Sequence, residues 1–309
     1  MPSLTSRRGF LALTSCLALA RGARAAPTPV SVTDDGLIAM FYPAASRPGR
    51  RKAAVLMLGG SGGGYPYADA AADLAAAGHP TLALAYFSDR MGQPKGLPTA
   101  LSEIPLEYMF KAIDWLRKAA GGAPVALMGE SRGGELVLLV GSHRPDVAGV
   151  IAYSPSEAVW AALAPGAPKT SWTLEGKPLP FLIPQYEPGD MRGMFDRALA
   201  APAPTLDSAM IPVERIKGPI LLVSSRADRL WPSAPMADAV EVRLKRLHFR
   251  GKVENRQYDD ASHLLMGFGP APTDVTYGTF TMHFGGSAAG TLAARNDAWA
   301  HSKAWLATI

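Results

Sequence analysis

The chain has 309 residues, 48% of them hydrophobic and 18% charged, with a formal net charge of +5. That size and balance suit one large domain with a sizeable buried core and exclude a disordered chain. A single cysteine, Cys16, excludes a disulfide framework and cysteine-ligated zinc.

Ser6-Arg7-Arg8-Gly9-Phe10-Leu11 is a twin-arginine pattern followed by an apolar run to Ala20, and Ala23-Arg24-Ala25 offers a small-x-small cleavage site. The run is about half of the roughly 20 residues a bilayer span needs. Residues 1–25 therefore read as an export signal, and residues 26–309 as one exported domain, periplasmic or secreted. The alternative is a lipobox at Leu13 to Cys16, which would make Cys16 a lipidated amino terminus. Arg7, Arg8, Arg21 and Arg24 leave with the signal, which contains no acid, so the +5 falls by four to +1. No basic stripe interleaved with aromatics remains, which argues against a nucleic-acid partner.

In the mature chain, short aliphatic runs alternate with longer Ala-rich stretches, the pattern of a mostly parallel sheet with helices on both faces. Predicted strands are Leu37 to Tyr42, Ala53 to Leu58, Thr81 to Tyr86, Val125 to Met128, Val147 to Tyr153, Pro219 to Ser224 and Lys252 to Tyr258. Predicted helices are Tyr67 to Ala77, Pro105 to Ala120, Gly133 to Ser142, Met236 to Leu247 and Ala294 to Ala307. Ser154 to Lys217, rich in Pro, Trp and Ala, is too long for an ordinary strand connection and reads as a lid-like insertion over the sheet's carboxyl edge.

Gly129-Glu130-Ser131-Arg132-Gly133 follows a predicted strand and precedes a predicted helix, the setting that a G-x-S-x-G nucleophile elbow requires. In that setting Ser131 is the candidate nucleophile. The motif alone is weak in a Gly-rich chain, and its other reading is an ordinary tight turn. A serine needs a base and an orienting acid, which in this fold follow later in the chain as acid, then His. Asp228 lies just beyond the strand ending at Ser224, and His263 lies just beyond the strand ending at Tyr258. The competing histidines are His79, His143, His248, His301 and, foremost, His283; Asp259 and Asp260 compete with Asp228. The backbone N–H of Arg132 supplies half of an oxyanion hole, and Ser61 or Gly62, in the Gly59 to Gly64 run, the other half. Glu130 and Glu135, flanking Ser131, read as structural or solvated. Trp160, Trp172, Tyr186 and Trp231 are candidates to line a substrate pocket, with core packing as the plain alternative. The chemistry needs neither metal nor cofactor, and the Gly run lacks the companions of a nucleotide site.

Three stretches add specificity: Leu101 to Tyr108 (LSEIPLEY), Gly129 to Glu135 (GESRGGE) and Ile211 to Val223 (IPVERIKGPILLV), the last followed by Leu230 to Ser233 (LWPS). Together with the Gly60 to Gly64 loop and Asn296 to Trp299, they resemble the catalytic, carboxy-terminal domain of the acyl-CoA thioesterase and bile acid-CoA:amino acid N-acyltransferase family. That family lies within the α/β-hydrolase, dienelactone-hydrolase-like superfamily. The resemblance implies an α/β-hydrolase fold and a triad on Ser131, Asp228 and His263. A serine nucleophile resembles the family's hydrolases, a cysteine its amide-forming transferases. Only a short stretch separates the signal from the first strands, so the family's amino-terminal β-sandwich domain is expected to be missing. The expected activity is cleavage of a small acyl ester or thioester through an acyl-enzyme. Acyl transfer to an amine or alcohol would use the same residues, and a non-catalytic binding protein on a hydrolase scaffold is the third reading.

Overall fold

The computed structural model describes residues 28–44 and 52–309. The segment expected to be an export signal, its expected cleavage site and Cys16 lie outside the described residues. Eight strands form the main sheet: β1 Val30–Val32, β2 Ala39–Tyr42, β3 Ala54–Leu58, β4 Thr81–Leu84, β5 Val125–Glu130, β6 Gly149–Tyr153, β7 Ile220–Ser225 and β8 Val253–Tyr258. Their spatial order is β1-β2-β4-β3-β5-β6-β7-β8. Pairing is antiparallel at β1–β2 and β2–β4 and parallel elsewhere, so β2 alone runs against the rest.

The central strands β3, β5, β6 and β7 are buried along their whole length, which explains why they read in the sequence as unbroken apolar runs. Successive side chains nevertheless go to opposite faces. Leu56, Leu58 and Leu127 join a core with helices α2 (Leu106–Ala119), α3 (Arg132–His143) and α6 (Ser233–Arg246). Val55, Met57, Ala126 and Met128 join a second core with α1 (Ala68–Ala76) and α7 (Ala288–Leu306). A parallel sheet with one reversed strand and helices on both faces is the α/β-hydrolase architecture expected from the sequence.

All seven predicted strands and five predicted helices are present, with ends shifted by a few residues. Eight short strands and α-helices went unread. β1 is a short edge strand, and the exposed hairpin Asp274–Tyr277 with Phe280–His283 lacks the alternation that marks a half-buried strand. The insertion holds two short helices, α4 (Met191–Leu199) and α5 (Ala203–Ala209), beside a small sheet formed by Ile104–Pro105, Trp172–Leu174 and Lys177–Pro178. The insertion has its own core, where Ala158, Trp160, Leu182, Ala198 and Ala209 pack with Trp231 and Met236 from outside it. Among the described residues, no helix is long and apolar enough to cross a membrane.

Candidate active site

β5 ends at Glu130 and α3 begins at Arg132, so Ser131 is a one-residue turn between them. Its backbone sits at φ 60°, ψ −122°, a region that L residues adopt only when the surroundings enforce it. The flanking glycines make this possible by close packing. A Cβ on Gly129 would lie 2.3 Å from the Gly133 carbonyl oxygen, and one on Gly133 would lie 2.4 Å from that of Leu58. The first-turn N–H groups of α3, Arg132 among them, have no partner within the helix by position and carry the positive end of its dipole.

His263 is 1% exposed and Asp228 fully buried. His263 Nδ1 is 2.8 Å from Asp228 Oδ2. Asp228 Oδ1 accepts the N–H groups of Leu230 at 2.9 Å and Trp231 at 3.2 Å, so the carboxylate is fixed before it meets the ring. The imidazole is held between the edge of Trp231, 5.6 Å away, and the stacked ring of Phe284 at 6.4 Å. Its backbone N–H donates to the Phe284 carbonyl at 2.9 Å, and its carbonyl accepts from Ser154 Oγ at 2.6 Å. His263 Nε2 has no hydrogen-bond partner. Burial pulls the pKa of this histidine down, but the charge and the hydrogen bond of Asp228, with a smaller contribution from the charge of Glu130, outweigh burial and leave it above the ordinary value.

Ser131 and His263 line one cleft of about 500 Å³, which also contains Gly59 to Gly63, Tyr67, Arg90, Leu230, Tyr277 and Met282. No other histidine lines it. His79 is buried against the Ala53 carbonyl, His301 lies 2.8 Å from Glu254, and His283 pairs with Asp274 on the exposed hairpin. The rival acids are engaged elsewhere: Asp260 accepts from Ser287, and exposed Asp259 pairs with Arg226.

The glycine loop enters the cleft as expected, and among its glycines Gly60 is the one beside Ser131. A Cβ there would lie 3.1 Å from Ser131 Cβ, whereas one on Gly62 would meet nothing within 4 Å. Ser61 and Gly62 are exposed on the same loop. The aromatic residues proposed for a pocket do not line this cleft. Trp160 and Trp172 are fully buried, with indole N–H groups donating to Ser156 Oγ at 2.7 Å and Glu135 Oε1 at 2.6 Å; Trp160 packs in the insertion's core and Trp172 in the main core with α2 and α3. Trp231 is equally buried and bears on the His263 ring, and Tyr186, 79% exposed, lines a neighbouring groove.

The two glutamates flanking the turn are both fully buried, so a solvated role is excluded for each. Glu135 pairs with Arg132 Nη1 at 2.9 Å, and burial, only partly offset by that arginine, pushes its pKa up to about 7. Arg132 Nη2 also donates to the Trp160 carbonyl at 3.1 Å and to Ser171 Oγ, so the pair fastens the insertion to α3. Glu130 faces the other way and accepts from Tyr67 and from the loop that follows His263. A glutamate closing a fully apolar strand was the sequence signal for that role.

Residues 104–308 match the family described as BAAT / acyl-CoA thioester hydrolase C terminal. The chain is 27% identical over 271 residues to the mitochondrial acyl-coenzyme A thioesterase 2 of Mus musculus, covering 84% of this chain and 55% of that protein. It is 27% identical over 229 residues to acyl-coenzyme A thioesterase 1 of Mus musculus, covering 73% and 51%. The chain thus spans about half the length of these curated relatives. Among solved structures, TT1662 from Thermus thermophilus is similar with a TM-score of 0.50 at 18% identity, covering 90% of this chain and 98% of that one. An acylaminoacyl peptidase from Pyrococcus horikoshii is similar with a TM-score of 0.51 at 13% identity, covering 77% and 38%. These two likenesses establish the fold. With the family match covering most of its length, the chain belongs to the BAAT / acyl-CoA thioester hydrolase C-terminal family.

Proposed function

We propose that the protein is a serine hydrolase that cleaves acyl thioesters or carboxylic esters through an acyl-enzyme intermediate, with Ser131 as nucleophile, His263 as base and Asp228 as orienting acid. The observation that carries this reading is the His263 Nδ1 to Asp228 Oδ2 contact of 2.8 Å, in a histidine whose other ring nitrogen is buried without a partner and which lines the same cleft as Ser131. Asp228 holds the tautomer whose Nε2 bears a lone pair. His263 takes the Ser131 proton as Oγ bonds to the acyl carbon, then returns it to the leaving thiol or alcohol. Water, deprotonated by the same nitrogen, releases the acid. The hydrogen bond from Ser131 to Nε2 that this step requires is commonly long or unaligned without substrate.

The oxyanion that forms meets the Arg132 N–H at the head of α3 and a second N–H from the Gly59 to Gly64 loop. Family membership supports an acyl thioester as substrate. Residues 1–25 support export, and in that compartment carboxylic esters become the competing class. Turnover of p-nitrophenyl esters against matching acyl-CoA thioesters, with Ser131→Ala as control, tests the proposal. Cleavage of either series that depends on Ser131 supports it, and cleavage undiminished in the variant refutes it.

A further inference from the structure

Glu130 is fully buried beside Ser131, and the triad chemistry makes no use of it. Its Oε1 accepts the backbone N–H groups of Leu265 and Met266, the latter at 2.6 Å, and its Oε2 accepts from the Tyr67 hydroxyl. Burial raises the pKa of this carboxyl above the ordinary value, and the charge of His263, the Tyr67 hydroxyl, the Met266 N–H and Arg295 all work against that rise. Every hydrogen-bond partner is a donor, the set that an ionised carboxylate satisfies without a proton to place. The loop it grips is gripped from the other side by Arg295. Nη1 of that residue donates to the Leu264 carbonyl at 2.9 Å, Nε to Gly269 at 2.8 Å and Nη2 to Phe268 at 3.2 Å. The peptide unit joining Leu264 to Leu265 therefore has a guanidinium at its carbonyl and a carboxylate at its N–H. Each charge polarises the unit in the sense that strengthens the other bond. His263 is the residue immediately before this clamp.

We propose that Glu130 is a positioning residue for His263: its charge fixes the loop that carries the imidazole and stabilises the imidazolium formed during turnover. The inference rests on the triad reading above. In the step concerned, the proton moves from Ser131 Oγ to His263 Nε2 while the Oγ electron pair forms the bond to the acyl carbon. Glu130 gains and loses nothing and acts only through its field. Asp228 faces the ring from the loop after β7, and Trp231 and Phe284 are its uncharged walls. Tyr67, Tyr153 and Arg295 are the titratable and charged groups around Glu130. Of the two carboxylates near the ring, Asp228 supplies orientation by direct contact and Glu130 supplies a second negative charge with no bond to it.

Glu130→Gln separates charge from shape. The amide oxygen keeps both backbone N–H groups and the amide nitrogen faces the Tyr67 oxygen. The full chain and the variant would be compared by NMR titration of the His263 ring. Rates would be measured across pH on whichever ester or thioester the wild type turns over. Loss of the charge should move the His263 titration and the acid limb of kcat/KM to lower pH. It should also lower kcat about ten-fold with KM nearly unchanged. A merely structural Glu130 leaves both pH profiles where they were, and that result overturns the inference. Should Glu130→Gln fail to fold, Arg295→Gln deletes the opposing charge and must move the titration the other way; an unmoved titration there also overturns it. Phosphonate labelling separates the two readings. Labelling at Ser131 with an unmoved titration removes the role of Glu130 alone. A moved titration without labelling at Ser131 removes the triad and leaves the coupling of Glu130 to His263 standing.

Discussion

The indole N–H of Trp172 donates to Glu135 Oε1 across 2.6 Å, joining the insertion to the helix that starts just beyond Ser131. The same carboxylate pairs with Arg132 at 2.9 Å, and both side chains are at most 5% exposed. A buried pair of this kind adds little beyond what well-packed apolar side chains would, yet removing one partner strands the other charge. Arg132→Leu should therefore cost about 3–5 kcal/mol in urea unfolding. Arg132→Leu with Glu135→Leu should recover much of that loss. Equal losses in the single and double variants would show that the pair does not act as a unit.

Asp228→Asn keeps the shape of the acid but inverts the hydrogen-bond demand on His263 Nδ1, forcing the wrong tautomer on Nε2. Turnover should fall about 10⁴-fold, with the melting temperature little changed. Activity within a few-fold of wild type would mean that His263 is oriented by other contacts.

Glu157, on the insertion, has its pKa raised by burial alone from the ordinary 4.5 to about 7. Between those values the folded chain holds a proton that the unfolded chain has lost, so this residue lowers stability as pH rises from about 4.5 to 7. Glu157→Gln cannot lose that proton. Its unfolding free energy should match wild type near pH 4 and exceed it at pH 8. A constant difference across that range would place the titration elsewhere.

Much of this fold was legible because the buried strands β3, β5, β6 and β7 are continuous apolar runs and the helices between them are Ala-rich, so period and composition agree. Ser131, Asp228 and His263 were legible because each sits at the carboxyl end of a strand, where a parallel sheet gathers its site. The tryptophans were not, since an indole buried on Ser156 or Glu135 and one lining a pocket have the same local sequence. Glu130 and Glu135 are structural rather than solvated, and the sequence left those two alternatives open for a related reason. Their burial depends on donors that lie far along the chain, at Leu265, Met266, Trp172 and Tyr67, and no local pattern announces those partners. The hairpin that brings Tyr277 and Met282 into the cleft is exposed and short, which removes the burial signal on which strand recognition depends.

The central claim is that Ser131 is an activated nucleophile. The most direct measurement is reaction of the purified chain with a fluorophosphonate, followed by peptide mass spectrometry to locate the adduct. The account predicts one adduct per chain, on Ser131, lost in Ser131→Ala and strongly slowed in His263→Ala, with turnover of the Ser131 variant reduced by roughly 10⁶-fold. No adduct on Ser131, from a folded chain that still cleaves its substrate, would contradict it.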